Sequence, residues 1–254
     1  MAYRRAPIST LTLNYRGLNA PERRTHLLKE LMKKHISVTM LQETHFREGV
    51  APSLRNKSYP NNHFCNHPSA RTSGVAILLA ADLAFTELDK HQDAHGRYLF
   101  LKGIIADKIY TFATIYVPNR HQATFLKGTL TKLRDFAEGT LLMERDFNAP
   151  LDPTLDSSSG HSCIPQRNIR SIRNSLNSLG LVDCWRALNP TALNSMTQKP
   201  YDEYHNIRDE IVEADLLYLI CYPAPGYLMW CLAMVAERCG KQSAVARVPE
   251  VGYE

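Results

Sequence analysis

Polar and apolar residues alternate through "ISTLTLN" (8–14) with the two-residue period of a half-buried strand. The next stretch, "APERRTHLLKELMKKH", changes period. Pro21 stands near its start, and Leu27, Leu28, Leu31 and Met32 fall on one helical face. "ISVTMLQE" (36–43) predicts a second strand, so the chain opens strand, helix, strand, with room for a parallel crossover. "SGVAILLA", "YLFLKGII" and "KIYTFATIYV" follow as strands with short turns, as in a meander. Residues 120–138 read as a helix and "TLLMERDFN" (140–148) as a strand. Residues 166–180 form an amphipathic helix closed by Gly180, and "EADLLYLI" (213–220) is the last clear strand. There are no internal repeats and no low-complexity linker. The pattern predicts an α/β sandwich: two packed sheets with helices outside.

One apolar segment needs separate treatment. Residues 216–236 carry no charge and are long enough to span a bilayer. Pro223, Pro225 and Gly226 sit at its centre and would break the helix that lipid requires. The expected structure is a buried strand, a turn and a short apolar helix, and a membrane role is disfavoured.

Composition adds little about the fold and something about partners. At 254 residues and 44% hydrophobic, the chain suits one large domain or two small ones. Its net charge of +5 is unevenly spread. Residues 1–60 hold eleven Lys/Arg against four Asp/Glu, and residues 201–254 hold four against nine. A basic first quarter suits a polyanion, although a solvated helix face with Arg23, Arg24, Lys29, Lys33 and Lys34 fits equally well. The six cysteines form no CxxC pair, so a reducing compartment is the default. His63, Cys65 and His67 in "HFCNH" lack a second ligand pair, and a loop is expected there rather than a zinc site. "MAYRRAPIST" has no apolar core of a secretory signal, which makes an intracellular location the expectation.

Several strands end on acid or amide residues: Asn14, Glu43, Tyr116 with Asn119, and Asp146 with Asn148, while Asp215 begins the last strand. Strand side chains alternate, so Asp146 and Asn148 share a face and Phe147 takes the other. Carboxylate and amide oxygens gathered at one sheet edge suit a hard cation such as Mg²⁺. Such an ion polarises phosphoryl oxygen and activates water. A nearby Asp can take the proton, and Asn or Tyr can donate to charge developing on phosphate. Taken singly, each residue also has an ordinary structural role.

Together and in order, "LTLNYRGLN", "LQETH", "SGVAILL", "IYVPN", "DFNAPLD" and "LVDCWRALNP" resemble the endonuclease/exonuclease/phosphatase superfamily. They are most similar to the endonuclease domain of non-LTR (LINE-type) retrotransposons, related to exonuclease III and the apurinic/apyrimidinic endonucleases. The resemblance runs from about residue 8 to 220. It implies a four-layered α/β sandwich, two packed mixed β-sheets flanked by helices. It also implies Mg²⁺-dependent hydrolysis of double-stranded DNA, with Mn²⁺ as a substitute ion, and a nuclear location. By position, Asn14 and Glu43 match the metal-side motifs, with Glu43 the main ligand. Asp146 and Asn148 belong to the same metal set. Tyr116 resembles the tyrosine that contacts phosphate. Asp146 resembles the acid that positions or deprotonates water, and Asn148 the amide that stabilises the transition state. Thr197 falls near a supporting threonine, and Asp215 resembles the aspartate of an Arg-Ile-Asp strand. No protein partner is implied.

The departures are equally specific. Arg145 replaces the usual Gly before Asp-Phe-Asn, Arg16 stands where Asp or Asn is common, and Glu213-Ala214 replaces Arg-Ile. The family's closing Ser-Asp-His has no counterpart, since no histidine follows His205. The expected division is therefore a nuclease-type domain over residues 1–220 and a divergent apolar tail over 221–254, without the motif or the strand that carries it. A truncated or frameshifted copy with impaired catalysis would explain this. Three further readings compete with an active nuclease: a catalytically dead remnant that binds DNA, a phosphoinositide or sphingolipid phosphodiesterase, and a membrane-associated chain.

Overall fold

The structure, a computed structural model, describes residues 8–146, 152, 154, 164–183, 218–221 and 231–237. Arg145, Asp146, Val182, Asp183 and residues 218–221 and 231–237 are described by their backbone. The elements in order are β1 (Ser9–Asn14), α1 (Pro21–Lys33), β2 (Val38–Gln42), β3 (Asn61–Cys65), β4 (Val75–Leu79), β5 (Thr86–Gln92), β6 (Tyr98–Ile105) and β7 (Lys108–Tyr116). They continue with α2 (Gln122–Phe136), β8 (Thr140–Asp146), α3 (Gln166–Ser178), β9 (Val182–Asp183), β10 (Tyr218–Cys221) and β11 (Cys231–Glu237).

Among the described residues the strands form two mixed sheets, β10-β1-β2-β4-β3 and β5-β6-β7-β8-β11-β9. β1 pairs in parallel with β2 and β10, and β7 pairs in parallel with β8. β1, α1 and β2 make the expected crossover. Strand alternation then sorts the core into layers. Leu11, Leu13 and Leu41 turn towards Leu27 and Leu31 of α1. Val38, Met40, Ile77, Leu101, Phe112 and Leu142 meet between the sheets. Ala113, Ile115, Leu141 and Met143 turn towards α2 and α3, where Leu126, Leu130, Ile169 and Ile172 wait. The result is the expected helix–sheet–sheet–helix sandwich. Each fully buried leucine contributes about 1.5–3 kcal/mol over an exposed one.

Four expectations need correction. "HFCNH" is not a loop: its first half lies in β3, antiparallel to β4. There the Cys65 thiol is buried, donates to the Asp93 carbonyl at 3.0 Å, and is pushed up to about 11 by burial. β5 was not foreseen. Its sequence TELDKHQ is almost wholly exposed, so it has no apolar alternation to read, and such charge is typical of a sheet edge. The tail yields a strand, β11, where a short apolar helix was expected. A six-residue apolar run, Cys231 to Ala236, cannot be assigned by period alone, and β11 pairs with β8 along Thr140–Asp146 on one side and with β9 on the other. Finally, Met32 lies on the flank of α1, 39% exposed, while Leu27 and Leu31 carry its packing.

Gly139 sits at the entry to β8 with φ +66°, and a Cβ there would run into the Ile109 carbonyl oxygen. Both the left-handed backbone and the collision act against any side chain. Gly139→Ala is expected to lower unfolding free energy by about 3 kcal/mol, read from urea denaturation. A loss within 0.5 kcal/mol or so would contradict this packing.

Candidate active site

β1, β2, β7 and β8 all end at the same edge of the sandwich. Asn14 is opposite Gln42 across β1 and β2, and Tyr116 is opposite Asp146 across β7 and β8. The Gln42 side chain reaches the other sheet and donates from Nε2 to Thr114 Oγ1 at 2.9 Å. Glu43 comes one residue after Gln42, and Tyr116 two residues after Thr114. That bond links the strand end that carries Glu43 to the one that carries Tyr116.

Glu43 is the best-defined group. Its side chain is 14% exposed and lies 3.4 Å from His45 Nε2. Burial pushes its carboxyl up, but hydrogen bonds from His45 and Asn14, with the His45 and Arg16 charges, outweigh this and hold it below the usual carboxylate range. It is therefore ionised at neutral pH. The Arg16 amide donates to Asn14 Oδ1 at 3.1 Å. Arg16, which departs from the family pattern, thus supports the Glu43 carboxylate.

The backbone here is forced. Arg16, Glu43 and His45 have φ of 45°, 52° and 57°, in the left-handed region that non-glycine residues avoid. Neighbouring loops fix them. The Gly17 and Leu18 amides donate to the Glu43 and Thr44 carbonyls at 2.7 and 2.9 Å. From the other side, the Thr44 and His45 amides donate to the Gly74 and Ser73 carbonyls at 3.0 and 2.8 Å. Strain clustered on adjacent strand ends and clamped from both sides is common at functional sites.

Tyr116 packs against the inter-sheet cluster, and its amide donates to the Arg97 carbonyl at 2.7 Å. Asp146 is placed through its backbone, opposite Tyr116 on β7 and Cys231 on β11. Arg145 lies on the same strand, between Ile115 and Leu232. Asn148, Thr197 and Asp215 lie outside the described residues. The structure thus brings together Asn14, Glu43, Tyr116 and the Asp146 backbone.

The chemistry of the described donors fits a hard divalent ion in one respect: an ionised, reachable carboxylate beside a carboxamide, both oxygen donors. Among the described residues no group of three or more His, Cys, Asp or Glu forms a metal cluster.

Sequence reasoning missed His45, the hydrogen-bond partner of Glu43. The "LQETH" motif contained it, but its role requires the left-handed turn at Glu43 that brings it back. It also missed the buried polar residues beneath the site. Glu144 is wholly buried, accepts from Thr10 Oγ1 at 3.0 Å, and is pushed up to about 8 by burial, against hydrogen bonds from Thr10 and Thr12.

The model of the endonuclease/exonuclease/phosphatase family matches residues 11–220. A Xenopus laevis protein, the transposon TX1 uncharacterized 149 kDa protein, is 27% identical over 189 residues, covering 72% of this chain and 14% of its own length. The chain thus spans about one seventh of that relative. An AP endonuclease from Archaeoglobus fulgidus aligns with TM-score 0.55 at 17% identity, covering 89% of this chain and 84% of that one. An AP endonuclease from Leishmania major aligns with TM-score 0.58 at 16% identity, covering 89% and 78%. These two share the fold.

Proposed function

Because this chain belongs to the endonuclease/exonuclease/phosphatase family, we propose that it hydrolyses phosphodiester bonds of double-stranded DNA with a divalent ion, Mg²⁺ or Mn²⁺. The observation that carries the reading is Glu43: ionised, partly exposed, hydrogen-bonded by Asn14, and clamped at the sandwich edge where Tyr116 and Asp146 also end. The similarity to a transposon protein favours DNA over a phospholipid headgroup. Among the described residues no helix is long and apolar enough to cross a membrane.

In this proposal Glu43 and Asn14, with Asp146 and Asn148, hold the ion. When bound, the ion supplies Lewis-acid polarisation of a phosphate oxygen. The other steps belong to the chain. Asp146 orients the attacking water and takes its proton. Tyr116 and Asn148 donate to the charge that develops on phosphate. Asp215 is a further catalytic residue, and Thr197 supports the site. The basic residues of the first quarter favour approach of duplex DNA. Work on DNA also favours a nuclear location.

A second reading is a remnant that binds DNA and does not cut it. It is favoured by Arg145, which stands directly before Asp146. Both readings are tested by offering the chain supercoiled plasmid, and separately phosphoinositide vesicles, with Mg²⁺. The expected result is nicked plasmid, no phosphate release from lipid, and DNA binding that weakens steeply with salt. Salt-sensitive binding without nicking would overturn the hydrolase reading in favour of the remnant. Lipid turnover would replace the substrate class.

A further inference from the structure

Between the sheets, directly below the site, the apolar core gives way to polar side chains. Thr10, Thr12, Gln42, Thr114 and Glu144 are all buried, at 1% exposure or less. They are joined. Glu144 accepts from Thr10 at 3.0 Å and from Thr12. Gln42 Nε2 donates to Thr12 Oγ1 at 3.1 Å and to Thr114 Oγ1 at 2.9 Å. Thr114 and Glu144 are opposite one another on β7 and β8, which closes a ring through four strands. Each of those strands ends in a site residue. Thr12 leads to Asn14, Gln42 to Glu43, Thr114 to Tyr116 and Glu144 to Asp146.

We propose that Gln42 is a positioning residue: through Thr12 and Thr114 it fixes the two half-sites, Asn14 and Glu43 on one sheet and Tyr116 and Asp146 on the other, in register. The proposal rests on the hydrolase reading above and deepens it. Apolar contact between sheets sets their separation, but it is non-directional and leaves sliding in the plane weakly opposed. Hydrogen bonds are directional and expensive to leave unmade in a dry interior. The Gln42 side chain bonds both sheets, as that of Thr12 does, and the Gln42 carbonyl also accepts from the Tyr15 amide, at 3.0 Å, where β1 runs on into the site. A buried amide here adds nothing to burial that leucine or methionine would not. Its distinct effect is to set register, and a displacement of about 1 Å between reacting groups can cost about a hundredfold in rate.

The test uses the full chain nicking supercoiled plasmid with Mg²⁺ at varied plasmid concentration. Variants are Gln42→Met, Thr114→Val, Thr114→Ser and the double Gln42→Met/Thr114→Val. Thr114→Val keeps shape and removes the hydroxyl, whereas Thr114→Ser keeps the hydroxyl and leaves a methyl-sized gap. The expected result is that kcat falls about tenfold to a hundredfold in Gln42→Met and Thr114→Val, with KM within about twofold. Thr114→Ser keeps at least about half of kcat, and the double variant falls no further than the worse single one. The proposal is overturned if serine loses as much as valine, if KM rises with kcat unchanged, or if kcat falls only as the folded fraction does. Should Gln42→Met not fold, the Thr114 pair decides. If the unsubstituted chain does not nick, the hydrolase reading fails and this one with it. If it nicks and the variants match it, positioning alone is wrong.

Discussion

Glu43→Ala is expected to lower Mg²⁺-dependent plasmid nicking by about 10²–10³-fold or more, with the fold retained. The side chain is 14% exposed and lies at a strand end, so its removal opens no cavity in the apolar layers. Its charge is what matters. Burial pushes the carboxyl up, but hydrogen bonds from His45 and Asn14, with the His45 and Arg16 charges, hold it below the usual carboxylate range, which suits a group that meets a cation. The variant should also need more Mg²⁺ for half-maximal rate, because one hard oxygen ligand is gone. The rate is measured as conversion of supercoiled to open-circular plasmid over a range of Mg²⁺ concentrations. A Glu43→Ala protein as fast as its parent would remove Glu43 from the mechanism.

The second large effect is on stability. Burial pushes Glu144 up to about 8, so it is held neutral in the folded protein at pH 7. In the unfolded chain it ionises near the ordinary carboxylate value of about 4.3. Between these two values the folded state binds more protons than the unfolded state, so stability falls as pH rises. The stabilisation is complete below the unfolded pKa and is lost as pH climbs through the folded one. About 3–5 kcal/mol should disappear between pH 5 and 9 in protein kept free of metal with EDTA. Glu144→Gln keeps an acceptor for Thr10 and Thr12 and cannot ionise. Its unfolding free energy should therefore change less over this range, and at pH 9 it should exceed that of the parent. Urea denaturation of both proteins across the range checks this. Parallel profiles would mean that Glu144 is neutral or charged alike in both states.

The sequence carried the fold further than it carried the site. β1, α1, β2, β4, β6 and β7 followed strong periods, and the order of strand-end motifs sufficed to expect a sandwich. β5 was invisible because TELDKHQ, an edge strand, shows solvent almost every side chain. β11 was misjudged because its strand state comes from pairing with β8, which the local sequence does not contain. At the site, Asn14, Glu43 and Tyr116 were legible as polar punctuation at the ends of apolar runs. The ring below them was not. Gln42 and Thr114 are 72 residues apart, and Thr10 and Glu144 134 apart, so their union needs the two sheets already packed. A signal did exist: Thr10, Thr12, Gln42, Thr114 and Glu144 all fall on inward-facing positions of otherwise apolar strands. Polar residues on a buried face need partners, and that rule alone points to a network.

Arg16 and Arg145 now stand apart. Both depart from the family pattern. The Arg16 charge, with His45 and Asn14, lowers the Glu43 carboxyl against burial. Arg145 occupies a regular register position between Ile115 and Leu232, so the strand tolerates it without a break.

The central claim is metal-dependent cleavage of DNA by residues of this chain, and it is best tested on the second half-site. Supercoiled plasmid is incubated with the unsubstituted chain and with Asp146→Ala, purified identically, first in EDTA and then with excess Mg²⁺. The account predicts no nicking in EDTA, nicking restored by Mg²⁺ in the unsubstituted chain, and none above background in Asp146→Ala. Equal nicking by both proteins, or none by a folded unsubstituted chain, would contradict it.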